Sequence, residues 1–137
     1  MSGYLLDTNI LSEVIKKRPS PGVLEHLRAA RRDQLATSVI CLTELRYGAV
    51  RHPKTAALWQ RITREVLARV RVLPLDATAA VRAGDILARL DEQGKPIGLE
   101  DVLIGATALV NGLAVVTRNL THFERIEGLR VESWFNS

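Results

Sequence analysis

Residues 113–117 (LAVVT) form an unbroken apolar stretch entered from a helical segment that Gly112 stops, the pattern of a parallel strand buried on both faces. Burial on both faces demands covering helices, so the rest of the chain has to supply crossovers. It does: β-type and helix-type segments alternate from end to end, with no internal repeat and no linker, as in an α/β fold. Strands are expected at 3–6, 35–38, 70–75, 113–117 and 129–132. Helices are expected at about 9–17, 23–32, 42–50, from His52-Pro53 to about Arg69, 78–91 with Asp76 as cap, and 101–111. The stretch Arg18-Pro19-Ser20-Pro21-Gly22 stops the first helix. The expected architecture is one domain over 1–137, with a central parallel sheet of about five short strands and helices on both faces.

A chain of 137 residues can bury about two-thirds of its unfolded surface, enough for one core. Apolar residues at 47% and charged residues at 25% are globular values. The single cysteine, Cys41, excludes disulfides and a cysteine-based zinc site, and a reducing cytoplasm is the expected location. Neither a secretory leader nor a membrane span is expected, because no basic lead and no long apolar run is present. A formal net charge of +4 favours polyanionic partners. Two Phe, two Tyr and two Trp are too few for base-stacking platforms, so any nucleic acid has to be held by its phosphates.

In a parallel sheet, binding groups collect beyond the carboxyl ends of the strands. Asp7 follows the first strand, Glu44 lies early in the helix after the second, Asp101 begins a helix and Asn119 lies just past 113–117. Each has a plainer use. Asp7 suits an N-cap, Asp101 a helix first turn, Glu44 an exposed face and Asn119 a turn. Together they say more, because two carboxylates about 4 Å apart repel by roughly 4 kcal/mol at an effective dielectric near 20, which a cation must offset. Oxygen donors with no supporting His or Cys cluster select Mg²⁺ or Mn²⁺. His26, His52 and His122 share no metal-type spacing and are expected on the surface.

Four segments, in order and at suitable intervals, carry a resemblance: Leu5-Leu6-Asp7-Thr8-Asn9, Thr43-Glu44-Leu45-Arg46-Tyr47-Gly48, Pro96-Ile97-Gly98 with Asp101 and Ile104-Gly105-Ala106, and Val116-Thr117-Arg118-Asn119 with Phe123, Gly128-Leu129 and Trp134. Over nearly the whole chain the sequence resembles the PIN domains, specifically the VapC and FitB-like toxins. That resemblance implies a divalent ion, Mg²⁺ with Mn²⁺ able to substitute, held by Asp7, Glu44 and Asp101, and sequence-selective cleavage of RNA. It implies two protein partners as well, a second copy in a homodimer and a small VapB-like antitoxin whose tail blocks the metal pocket. Asn119 stands where many PIN domains carry an acidic residue, so it is expected to offer a carbonyl oxygen or to orient a water rather than to hold a second ion.

The implied reaction is metal-assisted hydrolysis of a phosphodiester. Thr8 and Thr117 are candidates for holding the water or a phosphate oxygen, or for capping the strand ends. Among the basic residues near the mouth, Arg46 and Arg118 are the expected substrate contacts, each within two residues of a proposed site residue. Two other readings stay open at this point. One is a PIN-like domain that binds RNA or a partner without cutting. The other is a Mg²⁺-dependent phosphotransfer domain with a phosphorylated aspartate, which needs a strand-end lysine, and no lysine follows Lys95.

Overall fold

The computed structural model describes residues 3–135. In chain order the elements are β1 (Tyr4–Leu6), α1 (Thr8–Val14), α2 (Pro21–Ala29), β2 (Leu35–Ser38), α3 (Val39–Val50), α4 (Thr55–Glu65), β3 (Arg71–Leu73), α5 (Ala77–Glu92), α6 (Leu99–Val110), β4 (Ala114–Val116), α7 (Leu120–Phe123) and β5 (Val131–Glu132). Short 3₁₀ turns at Arg32–Gln34 and Leu67–Arg69 lead into β2 and β3. Four helices begin at a short polar residue whose side chain accepts a first-turn N–H: Asp7 for α1, Ser20 for α2, Ser38 for α3 and Asp76 for α5.

All five strands are parallel, in the order β3-β2-β1-β4-β5. From β1 the chain winds outward through β2 to β3, returns to pair β4 on the other side of β1, and continues to β5. Right-handed crossovers therefore put α1 to α4 on one face and α5 to α7 on the other. The winding direction reverses between β1 and β4, which opens a crevice beyond their carboxyl ends. Leu5, Leu6, Val115 and Val116 form the buried centre of the sheet. Ala83 and Leu90 of α5 close on Val102 and Ala106 of α6 in a second cluster. Trp134 seals one side, edge-on to Tyr4 and stacked on His26, both with ring centroids at 5.1 Å. Among the described residues no helix is long and apolar enough to cross a membrane.

Boundaries moved where side chains overrode the helical pattern. The first helix ends at Val14 rather than near Lys17, because the chain folds back and the Glu13 carboxylate accepts the Ser20 N–H at 2.8 Å. Helix α3 starts directly from β2 rather than at Leu42, since Ser38 both ends the strand and caps the helix. The long helix expected to reach Arg69 stops at Glu65 and tightens into the 3₁₀ turn.

The start of β1 is tight. A Cβ on Gly3 would lie 2.7 Å from the Gln34 carbonyl oxygen and 3.1 Å from Leu113 Cδ2. Backbone cannot yield as a flexible side-chain tip does, so Gly3→Ala is expected to cost about 1–3 kcal/mol. Urea unfolding should show a lower midpoint at unchanged slope; a wild-type midpoint would mean that β1 and the turn before β2 separate freely.

Candidate active site

The crevice between β1 and β4 holds a cavity of about 350 Å³ lined by residues from four chain segments, among them Asp7, Thr8, Glu44, Asp101, Arg118 and Asn119. Asp7 forms its floor and is only 4% exposed. Its Oδ1 accepts the Thr8 N–H at 2.8 Å, and its Oδ2 accepts the Thr117 hydroxyl at 2.7 Å. Thr117 is fully buried and also accepts the Asn119 N–H at 2.9 Å. These bonds fasten the loop after β1 to the loop after β4. Asn9 adds a second tie, with its Nδ2 3.4 Å from Asp7 Oδ2 and its Oδ1 accepting the Arg118 N–H at 3.1 Å.

Glu44 comes from α3 and accepts the Thr8 hydroxyl at 2.5 Å. Asp101, in the first turn of α6, accepts from His122 Nδ1 at 2.9 Å. The cavity thus brings Asp7, Glu44 and Asp101 together, and among the described residues no lysine or arginine forms an ion pair with any of these three. Burial pushes the Asp7 carboxyl above its ordinary range. Hydrogen bonds from Thr117 and Thr8 work against that, while the charges of Asp101 and Glu44 add to it.

Cys41 is the neighbour that the sequence did not announce. It lies fully buried on α3, one turn before Glu44, with Sγ 3.9 Å from Asp7 Oδ1. Ligand atoms of Asp7, Cys41 and Glu44 all fall within 4.8 Å of one another. Burial, followed by the Asp7 charge, pushes its thiol pKa up.

One expected substrate contact lies outside the cavity. Arg46 does not reach the cavity: two residues past Glu44, it points about 200° around the helix. Its guanidinium instead stacks over Trp59, 4.9 Å from the ring centroid, in a separate groove with Leu42, Thr43 and Tyr47. His122 is exposed as expected but has a site partner, the Asp101 carboxylate. Ser12, Glu13 and Lys16, on and just after α1, also line the cavity and carried no signal beyond ordinary helix polarity.

Glu13 is a buried carboxylate, 5% exposed. Burial opposes its charge, but Lys16, the Ser20 N–H and Arg118 outweigh that cost and lower its pKa. A lowered folded pKa gives stability that is present above the ordinary value of 4.5 and is lost as pH falls through the folded value. Glu13→Gln is expected to lose about 1–3 kcal/mol at neutral pH, the range for hydrogen bonds to a charged group. The gap to wild type should close in acid. Denaturation at a series of pH values checks this, and a gap that is constant with pH would assign the loss to packing.

Residues 4–129 match the PIN domain family. The tRNA(fMet)-specific endonuclease VapC of Salmonella typhimurium is 38% identical over 141 residues, covering 98% of this chain and 99% of that protein. Ribonuclease VapC2 of Haemophilus influenzae is 38% identical over 138 residues, with the same coverage. Among solved structures, FitAcB from Neisseria gonorrhoeae superposes with a TM-score of 0.89 at 29% identity, covering 96% of this chain and 97% of that one. DNA-bound VapBC from Salmonella typhimurium gives 0.88 at 36% identity, covering 98% and 99%. The family match, the sequence identity and the superposition agree: this chain belongs to the PIN-domain family, in the branch that contains the VapC ribonucleases.

Proposed function

We propose that this chain is a divalent-metal-dependent endoribonuclease, the toxin member of a toxin–antitoxin pair. One observation carries the reading: Asp7, Glu44 and Asp101, from segments far apart in sequence, line a single cavity, and among the described residues no lysine or arginine forms an ion pair with any of the three. Such a cluster is stable at neutral pH when a cation shares it. The donors suit a hard ion, since the acidic groups lining the cavity are all carboxylates and Cys41 is not among its lining residues. Asp7, Glu44 and Asp101 would hold Mg²⁺ or Mn²⁺, which supplies Lewis acidity toward the phosphodiester and activates water.

The chain's own residues provide the geometry. Thr117 and the Thr8 N–H fix both Asp7 oxygens, and the Thr8 hydroxyl fixes one oxygen of Glu44. His122 turns Asp101 by holding its Oδ2. Catalytic carboxylates anchored from behind present their remaining lone pairs in fixed directions, which is what an ion of strict geometry needs. Asn119 lines the cavity beside them as a neutral oxygen donor, and Arg118 extends a cation toward the substrate backbone.

Relatives named as tRNA(fMet)-specific endonucleases make tRNA the first substrate class to test. Structural neighbours solved as VapBC complexes support a VapB-like antitoxin partner, and we propose a homodimer of the toxin within that assembly. Tyr47 and Val50, 64% and 54% exposed on α3, give a partner an apolar surface to cover.

The test is induced expression of wild type beside Asp7→Asn, followed by mapping of new RNA 5′ ends. Growth arrest with discrete cuts only in the wild type is expected. Equal toxicity from both would remove this cavity from the mechanism.

A further inference from the structure

The acidic cavity has a second half with the opposite sign. Among the described residues, Lys16 and Arg118 are its only basic lining residues. Both side chains are more than half exposed, yet both are held from beneath by one buried carboxylate. Glu13 Oε1 lies 2.9 Å from Lys16 Nζ and 3.6 Å from Arg118 Nη2. Oε1 receives no directed hydrogen bond, and the other oxygen is committed to the Ser20 N–H. Phe135 covers one face of the Arg118 guanidinium at 3.9 Å from ring centroid to Cζ, which leaves the in-plane N–H donors at the edge. The Arg118 backbone is fixed through Asn9, which also touches Asp7.

We propose that Lys16 and Arg118, seated on Glu13, form a phosphate-binding subsite for the nucleotide flanking the scissile bond. The inference rests on the nuclease reading and adds to it where the substrate backbone is held. An RNA strand entering a notch of three carboxylates is repelled, and a cation shared by those carboxylates serves only the phosphate beside it. The neighbouring phosphate needs its own positive partner. Of the cations lining the cavity only these two are available, and the long 3.6 Å approach of Arg118 to Glu13 leaves its donors free for a phosphate. Among the described residues no aromatic lines the cavity, so this subsite recognises backbone and not base. Glu13 is a positioning residue: a buried carboxylate beside a polyanion site is electrostatically adverse unless it sets the direction of the two cations above it.

The test measures binding of a short labelled single-stranded RNA of mixed sequence to full-length protein carrying Asp7→Asn, with steady-state cleavage in the otherwise wild-type chain. Lys16→Ala and Arg118→Ala are each expected to raise Kd and KM about 3- to 10-fold. Each should also reduce the slope of log Kd against log salt by about 0.7, one phosphate contact on a single strand. Mn²⁺ affinity of the otherwise wild-type chain should not move. Arg71→Ala is the control, because Arg71 opens β3 at the opposite end of the sheet from the cavity. Glu13→Gln is expected to raise KM at unchanged kcat although it removes a negative charge. Tighter RNA binding by Glu13→Gln, an unchanged salt slope in both alanine variants, or an equal loss in Arg71→Ala overturns the subsite while cleavage stands. A wild-type chain that neither binds nor cuts RNA overturns the subsite and the nuclease reading together.

Discussion

Asp7→Asn is expected to abolish cleavage and to make the metal-free protein more stable. Loss of a carboxylate from the cluster removes several kcal/mol of transition-state stabilisation. At about 1.4 kcal/mol per tenfold in rate, that is a drop of about 10³-fold or more. Stability should move the other way. Asp7 is buried, and Glu44 and Asp101 press on it with like charge. Two such charges about 4 Å apart repel by roughly 4 kcal/mol at an effective dielectric near 20. The hydrogen bonds from Thr8 and Thr117 recover part of this, so a net gain of about 1–2 kcal/mol is expected on removing the charge. Asparagine keeps an oxygen for the Thr8 N–H, which preserves the α1 cap. Cleavage assays with Mg²⁺ and urea unfolding in chelator read the two effects. A variant that is inactive but less stable would show that Asp7 is first a cap; one that still cleaves would place the reaction elsewhere.

The same residue shows how far the sequence could be read. Asp7 and Thr117 are 110 positions apart, yet Asp7 directly follows the strand read at 3–6 and Thr117 ends the one read at 113–117, and the switch-point rule brings such ends together. Asp101 reads as an acid in the first turn of a helix that leads into a strand; Glu44 reads as one early in a helix from Leu42, whereas α3 starts at Val39 and places it in the middle of the helix. Arg46 was misplaced because closeness in sequence is not closeness on a helix: two residues rotate a side chain to the far side, where Trp59 receives it. Glu13 was invisible for a different reason. On α1 it reads as ordinary helix polarity, and only the fold-back to Ser20 and the approach of the loop after β4 bury it. Helix α7 is four residues long, too short for any period to register, and so the tie from His122 to Asp101 had no sequence signal.

Adding Mn²⁺ to chelator-treated wild type is expected to raise its thermal midpoint by about 10 °C. At a concentration about a hundredfold above Kd, a ligand that binds only the folded state adds about 2.7 kcal/mol. For a chain of 137 residues each kcal/mol is worth roughly 3–5 °C. The ion does more here than add contacts, because it offsets the repulsion that Glu44 and Asp101 exert on Asp7. The unfolded chain holds these three carboxylates apart and offers no competing site of comparable strength, so the gain is a property of the fold. Asp7→Asn should start higher in chelator and gain little from Mn²⁺, and the two melting curves should therefore cross in order as the ion is added. That reversal separates a built site from generic ion effects, which would shift both proteins alike. A parallel shift, or none in the wild type, would mean that the three carboxylates tolerate one another without a shared cation, and the cavity would lose its claim to metal chemistry.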